Sequence, residues 1–184
     1  MIQPDGMELG AAKRIAVVGP VGVGKSTLAR LLGERLGLEV FHLDRMWWLG
    51  GGYRITGPET ALVHAMGDNE FRELQQDLAS RDSWIIDGGR AHVDLRLSRA
   101  DTVILLDLPR KTCVWRIIKR TGRQRPDYPP DVKESWRWMW VLIRWAWTYH
   151  KERRPAMLKS IEEYASQATF IHCHSKGDVR QLLE

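Results

Sequence analysis

The sequence predicts an α/β fold of three layers, with helices on both faces of a five-stranded parallel sheet. Short apolar runs recur at 15–18, 40–43, 84–86 and 103–106, with a weaker one at 168–172. Runs of that length without polar alternation are how strands buried on both faces read in sequence. Each of the first four is followed by a polar or glycine-rich turn and then by a helical pattern, the rhythm of parallel strands joined by crossover helices. The residues able to do chemistry stand just after these runs, at the strand ends where open parallel sheets bind ligands. They are residues 19–26 after the first, Asp44 after the second, 87–90 after the third and Asp107 after the fourth. A chain of 184 residues suffices for one well-cored domain. We place it at 14–184, after a flexible tail at 1–13.

The first turn is the most specific. Gly19, Pro20, Val21, Gly22, Val23, Gly24, Lys25 and Ser26 match G-x-x-x-x-G-K-[ST] at every fixed position, and Thr27 begins a helical run reaching 36. Glycines let such a loop wrap so that backbone N–H groups point at a β-phosphate, with the helix N-terminus behind them. Lys25 would reach the β- and γ-phosphates and the Ser26 hydroxyl would ligate Mg²⁺. The motif makes this a P-loop NTPase by sequence, with ATP and Mg²⁺ as expected ligands.

Composition narrows the class further. The net charge is +5 and the pI about 9.4, yet the basic residues are dispersed among acidic ones. That pattern fits a protein holding several phosphates better than a nucleic-acid binder, which would show a contiguous basic stripe with interleaved aromatics. Cys113 and Cys173 are too few for a disulfide framework, and residues 1–13 lack the apolar core of a signal peptide. No apolar run reaches the ~18 residues of a membrane span. The expectation is a soluble, cytoplasmic protein whose partner is a small-molecule phosphoryl acceptor.

Several blocks together resemble a known family: the phosphate loop, His42-Leu43-Asp44 with tryptophans after it, WIIDG at 84–88, DLRLSRAD at 94–101, and LDLP with an R-x-x-x-R helix at 106–120. They resemble the kinase-like P-loop proteins called DNA topology modulation proteins, within the adenylate kinase and shikimate kinase group, over roughly residues 14 to 183. Gly89-Arg90 stand where most members carry Asn-Tyr. The resemblance implies a nucleoside/shikimate kinase-like fold and ATP-dependent phosphoryl transfer to a nucleotide or a hydroxyl-bearing metabolite, or else a regulatory or DNA-associated ATP-binding role. It further implies that Arg116 stacks on the adenine and Arg120 contacts phosphate, since Pro109, Arg116 and Arg120 keep the adenylate-kinase spacing. Ser175-Lys176-Gly177 corresponds to the loop bordering the adenine, and Asp87 to the aspartate of the Mg²⁺ water shell. Asp44 lies where shikimate-type kinases place the aspartate that holds and deprotonates a hydroxyl.

Phosphoryl transfer needs positive side chains converging on one point. The candidates are Lys25, Arg120, Arg123, Arg125, Arg137 and Arg144. For the acceptor they are Asp44, Trp48, Arg54, Gly88, Gly89 and Arg90, within a region at about 45–80, with a short lid at about 121–132. Asp107 competes with Asp87 for the Mg²⁺ shell, and otherwise reads as a cap or hydrogen-bond partner of the Pro109 turn. A helix at 133–151 carries Trp136, Trp140, Ile143 and Trp147 on one face and Trp138, Leu142, Trp145 and Tyr149 on another. The tryptophans read as core, with any surplus covering a homodimer interface. His172 and His174 point to the same side of a strand, and two imidazoles without a third ligand read as ordinary strand residues.

Overall fold

The computed structural model describes residues 9–49, 66–89, 91–123 and 136–184. All five expected strands form: β1 (Arg14–Val18), β2 (Val40–His42), β3 (Trp84–Asp87), β4 (Thr102–Leu106) and β5 (Thr169–Cys173). They make one parallel sheet in the order β2-β3-β1-β4-β5. β1 is central, and Ile15 pairs with both Ile85 and Thr102.

The helices are α1 (Lys25–Leu36), α2 (Leu43–Leu49), α3 (Asp68–Ser80), α4 (Val93–Leu97), α5 (Arg110–Arg120), α6 (Trp136–Glu152), α7 (Arg154–Tyr164) and α8 (Lys176–Gln181). Odd and even residues of the strands feed opposite faces, which yields two apolar clusters. Ile15, Val17, Ile104 and Leu106 pack with α1, α5 and α6, while Ala16, Val18, Val103 and Leu105 pack with α3, α4 and α7. The structure is thus a three-layer α/β/α sandwich. Leu43, read as the end of the second strand, instead opens α2. Within the expected tail, Leu9–Ala11 form a 3-10 turn whose Leu9 is buried in the core.

The tryptophans of α6 correct the sequence reading. Trp136 is 65% exposed, Trp140 66% and Trp147 47%, and the buried stripe is Met139, Leu142, Ala146 and Tyr149. Met139, Leu142 and Ala146 let α6 settle against the core, Tyr149 is buried with them and Trp138 packs partly, while Trp136, Trp140 and Trp147 stay at the rim. There Arg110 lies over Trp147 and Arg153 over Trp145, each guanidinium within 4.7 Å of the ring centre. No described helix is long and apolar enough to cross a membrane.

Candidate active site

The turn between β1 and α1 is built by close backbone approach. Gly19 has φ 144°, and a Cβ there would lie 2.3 Å from the Leu106 carbonyl oxygen; at Gly22, φ 79°, it would lie 2.6 Å from that of Cys113. Side chains are therefore excluded on both counts, and the chain can wrap only with glycine. Gly24 caps α1 in the left-handed region, so Lys25, Ser26 and Thr27 form its first turn. Lys25 Nζ donates to the carbonyls of Gly19 (3.1 Å) and Pro20 (3.0 Å). Burial pushes the Lys25 ammonium below its ordinary value, the charges of Asp44 and Asp87 oppose that, and Arg120 adds to it. Three of the expected site residues therefore act on one lysine.

Beside the loop lies a cavity of about 450 Å³, lined by Val23, Gly24, Thr27, Leu31, Leu108, Arg116, Lys176 and Arg180, among others. Arg116 donates through Nη1 to the Val23 carbonyl, which holds the guanidinium against the loop. Arg116 and Lys176, distant in sequence, meet there because β4 and β5 are neighbours and α5 and α8 follow them.

On the other side of β1, Asp87 ends β3 in register with His42, whose Nδ1 lies 2.6 Å from Asp87 Oδ1. Gly88 follows where a Cβ would meet that of Leu43 at 2.7 Å, and a Cβ on Gly89 would lie 3.8 Å from Asp44 Oδ1. Asp44 therefore stands against the Gly88-Gly89 turn. Arg96, within the DLRLSRAD block, is fully buried. It donates to Gln75 Oε1 (2.9 Å) and to the Gly89 carbonyl, bracing that turn from behind. Burial lowers its guanidinium to about 10 against the pull of Asp44, Asp87 and Asp94.

Asp107 does not cap the Pro109 turn. It is buried, and its Oδ2 accepts from Arg154 Nε (2.6 Å) and lies 3.0 Å from His172 Nε2. Burial works against its charge, but those two hydrogen bonds hold the carboxyl below its ordinary range. Burial likewise keeps the His172 imidazole below its usual value, and Asp107 opposes this. Cys113 and Cys173 are buried free thiols, raised by burial to about 11 and about 12, and so poor nucleophiles.

Arg123, Arg137 and Arg144 are exposed, the last two on α6. Arg54, Arg90 and Arg125, the Trp48 side chain and most of the expected lid lie outside the described residues. Sequence reasoning missed His42, Arg96 and Arg154. The signals were a polar residue closing an apolar strand for the first, and an arginine within the apolar periodicity of 93–97 for the second.

A family model described as AAA domain matches residues 15–135. The Shikimate kinase of Streptomyces coelicolor is 33% identical over 147 residues, covering 69% of this chain and 75% of that protein. The chain belongs to the P-loop kinase family. Among solved structures of that family, shikimate kinase from Acinetobacter baumannii in complex with shikimate superposes with a TM-score of 0.56 at 19% identity, over 95% of this chain and 90% of that one. Shikimate kinase from Bacteroides thetaiotaomicron gives 0.54 at 17%, over 94% and 95%. Both likenesses speak for the fold of this kinase-family chain.

Proposed function

We propose that the protein is an ATP- and Mg²⁺-dependent phosphotransferase whose acceptor is a hydroxyl group of a small metabolite. The observation that carries this reading is the place of Asp44. Its carboxylate lies against the Gly88-Gly89 turn, and its charge acts on Lys25 at the phosphate loop and on Arg96 behind the turn. A carboxylate so placed can hold a hydroxyl and take its proton, a service that a phosphate acceptor does not need. The 33% identity to a Shikimate kinase supports the same class.

The residues then divide the work. Backbone N–H groups of 19–26 and the Lys25 ammonium hold the β- and γ-phosphates, and Arg116 and Lys176 flank the nucleoside end in the 450 Å³ cavity. Arg120, whose charge reaches Lys25, meets the negative charge that grows on the transferring group, with Arg123, Arg125, Arg137 and Arg144 as the supply for closure. Gly88, Gly89 and Arg90, with Trp48 and Arg54, border the acceptor. Ser26 and Asp87 offer a hydroxyl and a carboxylate, the hard oxygen donors that Mg²⁺ takes, and His42 fixes Asp87 in place. When bound there, Mg²⁺ neutralises phosphate charge.

The test is ADP release above background with shikimate and other hydroxy acids, nucleosides, and nucleoside monophosphates. Turnover with a hydroxyl acceptor is expected. Turnover with monophosphates alone would replace the reading with a nucleotide kinase. ATP binding without turnover on any acceptor would favour the regulatory role implied by the resemblance to topology modulation proteins.

A further inference from the structure

The geometry points to a second, unrelated site: we propose that Asp107, His172 and His174 bind one divalent cation of the zinc class. A ligating atom from each lies within 4.8 Å of the other two. The two histidines flank Cys173 at the end of β5, and their rings sit 3.8 Å apart at an interplanar angle of 38°. Asp107 joins them from the end of the neighbouring strand β4, so the sheet itself sets the spacing.

His172 meets Asp107 at the distance of a ligand pair. It is 6% exposed, and its Nε2 lies 3.0 Å from Asp107 Oδ2. That is about the separation of two donors around one ion with bonds of ~2.0–2.1 Å, so an ion held there takes the place of the proton shared between imidazole and carboxylate. Asp107 Oδ1, buried and without a hydrogen bond, leaves the carboxylate free to turn toward the ion.

The surroundings suit a metal of this class. His174 is exposed and gives an entry path, while its backbone N–H donates to Asp178 Oδ2 (2.7 Å), which pins the strand end. Asp107, 7% exposed, has a buried Oδ1 without a hydrogen bond, and His150 Nδ1 lies 3.3 Å from it. His150 thus borders the carboxylate and stands outside the three-residue set, whose fourth tetrahedral position falls to water. Arg154 cancels much of the Asp107 charge. A hard cation such as Mg²⁺ or Ca²⁺, which needs several anionic oxygens, gains little here, whereas an imidazole-seeking ion keeps its nitrogens.

The full chain, stripped with a chelator and dialysed, is titrated with Zn²⁺ by calorimetry and with Co²⁺ by visible absorption. One ion per chain is expected, with Co²⁺ bands of a nitrogen-bearing site. His174→Ala, at an exposed position, should weaken Zn²⁺ binding at least ~10-fold and leave ATP affinity as in the wild type. His172→Asn should do the same, and Lys25→Ala should keep Zn²⁺ affinity. Failure of the wild type to take up Zn²⁺, or undiminished uptake in His174→Ala, would overturn the proposal.

Discussion

Two neighbouring strand ends were built in opposite ways. After β1 the site is made of backbone: Gly19 and Gly22 touch carbonyl oxygens of β4 and α5 so closely that any side chain is excluded, and Lys25 is held by two carbonyls of its own loop. After β4 it is made of side chains: Asp107 gathers Arg154, His150 and His172 from α7, α6 and β5. The first packs glycine backbone against the backbone of β4 and α5, and its lysine contacts stay within its own eight residues. The second joins side chains of distant segments, and a change in one partner leaves the others buried and unsatisfied. The lesson is that the phosphate end is shaped by close backbone approach, whereas the β4–β5 end stores its specificity in side-chain contacts.

The contrast can be broken most sharply at Lys25. Lys25→Ala removes the ammonium and its two hydrogen bonds to the loop's own carbonyls, so ATP·Mg²⁺ affinity in calorimetry should fall by on the order of 2–4 kcal/mol with only a small shift in melting temperature. A protein that loses its fold instead would place Lys25 on the contact-built side of the comparison. Asp44→Asn should come next: turnover on a hydroxyl acceptor drops roughly 10²-fold with ATP affinity kept, and an unchanged kcat would defeat the base role. At the other end the signs reverse. Arg154→Ala should lower thermal stability by about 1–3 kcal/mol, since Asp107 loses its closest partner while Arg154 itself is partly solvated, with ATP affinity little altered. Arg116→Ala should weaken ATP about 10-fold through the loss of one contact at the cavity wall. Trp140→Ala, at an exposed ring, should change stability by no more than ~0.5 kcal/mol.

Legibility in the sequence follows the same division. Strands β1, β3 and β4 and the phosphate loop could be read because each is set by a short run and its flanking turn. Leu43 misled because an apolar residue at a strand end also starts an apolar helix face. The tryptophans misled because nearly every position from 136 to 149 is apolar, aromatic or arginine, and such a stretch has no single period to show which face is buried. Arg96 was out of reach because its partners, Gln75 and the Gly89 carbonyl, lie on other segments and carry no signature of their own. His172 and His174 were seen, and their third companion was not, because Asp107 is a neighbour across the sheet and not along the chain.

The strand order has a consequence for how the molecule comes into being. β1 is the first strand made and the central one, yet its two partners are β3 and β4. While the chain leaves the ribosome, residues 14–18 are an apolar ribbon with both edges open, and their first pairing waits for Trp84–Asp87 to appear. β2 waits for the same strand. Parallel sheets closed by distant segments form slowly and expose their edges meanwhile. Arrival of the third strand is then the event that seats the first two together, and a ribosome pausing before it holds a nascent chain whose two strands have no partner in the final sheet.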